Sequence, residues 1–128
     1  MIYGIGTDLC AVERIEKSIA KPAFVQRVFS DAERALLQTK SGKARAETAA
    51  ANYAAKEAFL KACGTGLAGF ALREIAVLRR DSGAPCYAPT GAAAAWLAQT
   101  HLTAHLSLTH EAGLACAFAV LEITAPDD

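Results

Sequence analysis

The longest helical stretch of the chain carries a cation inside its apolar stripe. From about Glu47 to Cys63 the residues suit a helix, and Gly64 closes it as a C-cap. At 100° per residue, Tyr53, Phe59, Leu60 and Cys63 fall on one side, and Lys56 falls among them. A lysine in that position snorkels to water, or it meets a ligand or another subunit. Glu57 and Lys61 lie at i, i+4 on the edge of the stripe. As an exposed pair they would contribute roughly 0.3 kcal/mol. A glutamate beside two lysines also suits phosphate chemistry. The carboxylate takes a divalent cation or a proton, and the ammonium groups meet phosphate oxygens.

Around this helix the pattern predicts an α+β fold with an antiparallel sheet and helices packed on it, in one domain over residues 1–128. Ile2–Leu9 reads as a strand. Its Gly4 and Gly6 point to a bulge or a close backbone approach. Val12, Ile15 and Ile19 recur at helical spacing, and Pro22 ends that helix. Phe24, Val25, Val28 and Phe29 suggest a short helix after it. Ser30 and Glu33 form an S-x-x-E capping box, which starts a helix from Asp31 to about Gln38. Thr39–Arg45 reads as a polar, basic loop and Gly64–Gly69 as a glycine-rich one. Leu72–Arg79 and Pro85–Ala88 read as strands around a turn at Asp81–Gly83. An Ala-rich helix runs from Thr90 or Gly91 to Gln99. His105–Thr109 and Leu114–Ile123 are strands joined by a loop at His110–Gly113.

The charge balance excludes a protein that coats polyanions. Lys plus Arg and Asp plus Glu each number 13, and the net charge is zero. No basic n-region precedes the first strand and no apolar run is long enough to span a bilayer, so no membrane role is expected. Cys10, Cys63, Cys86 and Cys116 form no C-x-x-C pair, which points to reduced, packed thiols in a cytoplasm. Alanine supplies 30 residues, which leaves one modest core that gains from packing against identical copies.

Three further features carry chemistry. Asp8 ends the first strand beside glycines, and either reaches a metal or phosphate or caps the helix that starts near Ala11. Gly64-Thr65-Gly66 allows backbone N–H groups to approach a ligand, but no G-K-[ST] follows, so it is not a Walker motif. On the strand around Ser107, alternation puts His105, Ser107 and Thr109 on one face, suited to phosphate or sugar contacts.

These pieces, in this order, resemble the bacterial holo-[acyl-carrier-protein] synthase family of 4′-phosphopantetheinyl transferases. The resemblance covers nearly the whole chain. It starts at Gly4-Ile5-Gly6-Thr7-Asp8-Leu9 and continues through Phe29-Ser30-Asp31-Ala32-Glu33. Its most specific part is Tyr53-Ala54-Ala55-Lys56-Glu57-Ala58 with Lys61 and Gly64-Thr65-Gly66. It ends at His105-Leu106-Ser107-Leu108-Thr109-His110. Two positions depart from it: Asn52 stands where members commonly carry arginine, and Ala84 stands where a lysine precedes Pro85.

The resemblance implies transfer of 4′-phosphopantetheine from coenzyme A to a serine of apo-acyl carrier protein, releasing adenosine 3′,5′-bisphosphate. It implies Asp8, Glu57 and Lys61 as catalytic residues, with Asp8 and Glu57 holding Mg²⁺ or Mn²⁺. The serine proton goes to Glu57 or to a metal-bound water. Lys56, Lys61, Gly64, Thr65, Gly66, His105, Ser107 and Thr109 would contact coenzyme A. The carrier is acidic in this family, and Arg14, Lys17, Lys21 and Arg27 would dock it. Four basic residues face two acidic ones between residues 12 and 29. Resembling proteins are homotrimers with sites between subunits. The alternative is a trimeric module that binds coenzyme A or a nucleotide without transferring anything.

Overall fold

Close packing of glycine and alanine backbones sets the architecture. The computed structural model describes residues 1–64 and 69–124. Along the chain run β1 (Ile2–Ala11), α1 (Val12–Ile19), α2 (Pro22–Val28), α3 (Asp31–Gln38) and α4 (Gly42–Cys63). After a 3₁₀ turn (Leu72–Glu74) come β2 (Val77–Arg79), β3 (Pro85–Tyr87), α5 (Gly91–Gln99), β4 (Leu102–Glu111) and β5 (Leu114–Ile123). The fold is α+β. An antiparallel sheet of order β1-β5-β4 lies under α4, and β2-β3 form a separate hairpin.

β1 lies directly against α4. An added Cβ at Gly4 would sit 2.0 Å from the Ala62 carbonyl oxygen, and one at Gly6 would sit 2.0 Å from that of Ala58. Both glycines are therefore required by backbone approach, and the register shift between Ile2 and Gly4 adds the bulge. Ala54, Ala58 and Ala62 repeat every four residues and are buried, as are Ala115, Ala117 and Ala119 of β5. Larger side chains (Ile15, Val28, Phe29, Leu37, Phe59, Ile75 and Val77) fill the other sides of α4. A helix covered on nearly every face has no clean polar side. The stripe read around Lys56 is thus one sector of a helix enclosed almost all round.

Four boundaries differ from the pattern-based expectation. β1 continues to Ala11, because Val12 N–H still donates to Gly113 O at 2.9 Å beyond the Ala11–Leu114 pair. That excludes Asp8 as a cap: the N-cap of α1 is Ala11, with no side-chain bond. α4 begins at Gly42, so most of the expected Thr39–Arg45 loop is its exposed first turn. Polar residues there are solvated helix rather than loop. Leu72–Glu74 is a 3₁₀ turn instead of strand, and the carbonyls of Leu72 and of Ile75 just after it turn inward to a side chain described below. The last hairpin turn is only Ala112–Gly113, with φ of +52° and +77°, so His110 and Glu111 stay in β4. The capping box forms as expected. Ser30 Oγ accepts from Glu33 N–H at 3.2 Å and Glu33 Oε1 accepts from Ser30 N–H at 3.0 Å.

Gly6→Ala pushes a methyl into a helix carbonyl that cannot move alone. It is expected to destabilise the fold by roughly 2–3 kcal/mol. A lowered urea midpoint with unchanged slope is the expected readout. An unchanged midpoint would show that β1 and α4 separate easily.

Candidate active site

The approach of β1 to α4 brings three sequence-predicted residues together. Asp8 follows Gly4 and Gly6 on the face of β1 that meets α4. Lys61, on the last turn of α4, donates to Asp8 Oδ1 at 3.0 Å and to the Thr7 carbonyl at 3.0 Å. The Asp8 side chain is largely covered at 18% exposure and the Lys61 side chain is 56% exposed. Glu57 lies one turn before Lys61 and is half-buried. Burial raises the Cys10 thiol pKa, Arg14 opposes that rise, and the charges of Asp8 and Glu57 add to it. One thiol therefore feels both carboxylates.

Two residues outside the expected catalytic set complete this cluster. Burial, then the nearby Glu57 carboxylate, raises the Tyr53 hydroxyl pKa. The Arg14 guanidinium stands 5.6 Å from the Tyr53 ring centroid and donates to Cys10 Sγ at 3.8 Å. Arg14 was expected only in carrier docking, yet it also borders the carboxylates. Tyr53 was read only as an apolar stripe residue, and its distance of four from Glu57 was the available signal.

The donor set fits a hard divalent cation. Among the described residues no cluster of three or more His, Cys, Asp or Glu could hold a metal. Two carboxylates suffice where substrate phosphate and water complete the shell, which is the usual mode of Mg²⁺. Asp8, Glu57 and the nearby Thr7 carbonyl are all oxygen donors, with no soft ligand among them.

Other expected residues lie elsewhere. Gly64 takes φ +82° as the left-handed C-cap of α4, while Thr65 and Gly66 lie outside the described residues. His105, Ser107 and Thr109 are exposed on the sheet face that points away from α4. His105 Nε2 lies 2.9 Å from Glu122 Oε1. β5 separates that row from β1, so one chain does not join it to Asp8. Arg14, Lys17, Lys21 and Arg27 are all exposed. Lys17 pairs with Glu13 at 3.6 Å, and Arg27 lies 5.8 Å from the Phe24 ring centroid.

Residues 4–119 match the family described as the 4′-phosphopantetheinyl transferase superfamily. The chain belongs to that superfamily. It is 45% identical to a holo-[acyl-carrier-protein] synthase of Methylobacterium sp. (strain 4-46), covering 95% of both chains. It is 43% identical to the synthase of Mesorhizobium japonicum, over 95% of this chain and 93% of that one. A solved synthase from Bacillus anthracis in complex with CoA (3′,5′-ADP) aligns with TM-score 0.83 and 33% identity, over 97% and 99% of the two chains. One from Neisseria meningitidis aligns with TM-score 0.85 and 32% identity, over 95% and 99%. The chain is thus a phosphopantetheinyl transferase of the holo-[acyl-carrier-protein] synthase type.

In this transferase Lys56 is not a ligand contact, which corrects the expectation. The side chain is fully buried, and its ammonium is 2.6 Å from Glu33 Oε1, 3.0 Å from Leu72 O and 2.9 Å from Ile75 O. Its three donors are therefore used. It neither snorkels nor faces another subunit. Burial lowers its pKa, and Glu33 opposes the shift. Asn52 belongs to the same network: Nδ2 donates to Glu33 Oε2 and Val77 O, both at 3.0 Å. Glu33 was read only as a capping residue. A buried lysine needs a buried acid, and that requirement was the signal for it.

Glu33→Gln leaves a buried ammonium without its counter-charge. It is expected to destabilise the transferase by about 3–5 kcal/mol in chemical denaturation. Replacing both partners by apolar residues, Glu33→Leu with Lys56→Met, should cost less than either single change. If the single changes are silent, the pair is not what joins α3 to α4.

Proposed function

We propose that this transferase moves 4′-phosphopantetheine from coenzyme A to a serine of apo-acyl carrier protein with a divalent cation, Mg²⁺ or Mn²⁺. The observation that carries this reading is the Asp8–Lys61 contact across β1 and α4 with Glu57 beside it. A coenzyme A complex of a relative 33% identical in sequence supports the donor, and the relatives' names support the acceptor.

In this reaction the serine oxygen forms a bond to the phosphorus that carries pantetheine. The pyrophosphate P–O bond breaks, and adenosine 3′,5′-bisphosphate leaves with the bridging oxygen. Asp8 and Glu57 would hold the cation, which when bound neutralises pyrophosphate charge. Lys61 has a largely exposed side chain and reaches the same point, so its ammonium meets the charge that grows on the leaving phosphate. The serine proton passes to a carboxylate or to water, and Glu57 is the protein group placed to accept it.

The same reading makes the enzyme a cytoplasmic homotrimer with sites shared between subunits. The sheet face away from α4 carries Ile5, Leu9, Leu114 and Phe118, exposed at 56%, 62%, 40% and 46%. Four large apolar residues on one open face support burial against copies of the chain. His105, Ser107 and Thr109 continue that face at the β4 edge, while Asp8 lies at the β1 edge. Packing the β4 edge of one copy against the β1 edge of another would join them at one coenzyme A. The carrier would dock on exposed Arg14, Lys17, Lys21 and Arg27, with an association rate that falls as salt rises.

Incubation with apo-acyl carrier protein, coenzyme A and Mg²⁺ should add about 340 Da to the carrier by intact mass, one phosphopantetheinyl group moved by phosphoryl transfer. Asp8→Ala and Glu57→Gln should each lower the rate by roughly 100-fold or more. Coenzyme A binding without any mass gain would favour the binding module instead. Phe118→Glu should yield monomers in sedimentation velocity and little transfer. An active monomer would sink the shared-site arrangement.

A further inference from the structure

A groove of about 340 Å³ opens on the side of α4 away from Asp8, between α4, the β2–β3 hairpin and the end of β4. Arg79, Glu47, Thr48, Pro85, Thr109 and His110 are among the residues that line it, so it holds one carboxylate as well as the arginine. Arg79 is the cation of this groove, and its surroundings differ from those of Lys56. Nη2 donates to Asn52 Oδ1 at 2.9 Å and Nη1 donates to the Leu78 carbonyl at 3.1 Å. Among the described residues no carboxylate lies within ion-pair distance of it. A guanidinium has five donors, so three are left for a ligand. Burial lowers its pKa, as expected for a cation removed from water without a direct counter-ion.

Asn52 determines how that guanidinium points. Its Nδ2 is taken by Glu33 Oε2 and Val77 O. The amide therefore turns its oxygen outward, and that oxygen is the acceptor for Arg79. The side chain is fully buried, so the orientation is held by packing as well as by hydrogen bonds. The arginine is thus anchored through both terminal nitrogens while it lines the groove, and a guanidinium with donors left over suits a phosphate. His110 adds a second donor at the rim, with Glu47 Oε2 3.7 Å from its Nδ1.

We propose that Arg79 holds a phosphate group of the donor's nucleotide end in this groove and that Asn52 is the residue that positions it. This rests on the reaction proposed above. Its place across α4 from the carboxylates suits a substrate that reaches the metal residues of a neighbouring copy. The anion is held from β2, by a side chain aimed from α4.

Calorimetric titration of the intact protein with adenosine 3′,5′-bisphosphate tests it. Arg79→Ala should weaken binding roughly tenfold or more, and Arg79→Lys should restore only part of it, because a point charge replaces the fork. In transfer assays Arg79→Ala should raise the KM for coenzyme A roughly tenfold with kcat nearly unchanged, the opposite of the loss in kcat expected for Glu57→Gln. Titration with adenosine 5′-monophosphate identifies the group held: if Arg79→Ala spares that ligand, the 3′-phosphate is the one in the groove, and if both ligands weaken, it is the 5′-phosphate. Arg79→Ala with an unaltered urea midpoint, unaltered binding and unaltered KM would overturn the proposal while leaving the transferase reading intact. Wild-type protein that neither binds the bisphosphate nor modifies a carrier would overturn both.

Discussion

The ammonium of Lys56 ties three separate parts of the chain to one point. It joins α4 to Glu33 of α3 and to the carbonyls of Leu72 and Ile75, 16 and 19 residues away along the chain. Each bond is made out of contact with water, where an unmatched charge is expensive. The complete set of partners makes this placement stable, and the requirement for all of them makes it specific. The segment around Leu72 cannot become a strand because its carbonyls are already engaged. The same buried acid accepts from Asn52, and Asn52 accepts from Arg79. A charge hidden in the core therefore determines the direction of a charge at the surface.

The proposed reacting groups depend on a second constraint, the absence of side chains on β1 where it crosses α4. Without Cβ atoms at Gly4 and Gly6, backbone meets backbone, and Asp8 two residues later arrives beside the turn that carries Glu57 and Lys61. A carboxylate on a strand then meets a helix lysine at 3.0 Å, with both groups on rigid elements. That precision is what phosphoryl transfer requires, since most of its catalysis is positioning and charge.

Much of this was legible in the residues. The capping box at Ser30 and Glu33, the helix periodicity at Val12, Ile15 and Ile19, and the alternation along β4 each follow from local rules that the structure obeys. The meeting of Asp8 with the Glu57–Lys61 turn was legible because the glycines and the i, i+4 spacing mark those residues, while the roles proposed for them came from the family resemblance. What was not legible depends on distance in the sequence. Lys56 and Glu33 are 23 positions apart, and Asn52 and Arg79 are 27 apart. Periodicity places a side chain on a face of its helix without naming what covers that face. Lys56 therefore read as a ligand contact while its partner read as a cap. The boundaries failed for a similar reason: Leu72–Glu74 looks like strand until the lysine that claims its carbonyls is known.

The two edges of the sheet carry different polar groups, with β5 between them. Asp8 stands at β1 with Lys61 of α4 against it, while the histidine row and the Arg79 groove stand at or beside β4, with β5 between the two strands. If one copy acted alone, those polar groups at β4 would serve no reaction, and the apolar residues at Ile5, Leu9, Leu114 and Phe118 would remain in water. The proposed assembly would resolve both at once. In the proposed assembly the buried face would lie between the two sets of residues, so the hydrophobic area that favours association would also bring them together. Under that proposal catalysis and oligomerisation would be one requirement on the sequence. A substitution on the apolar face is expected to reach the active site although it touches no substrate.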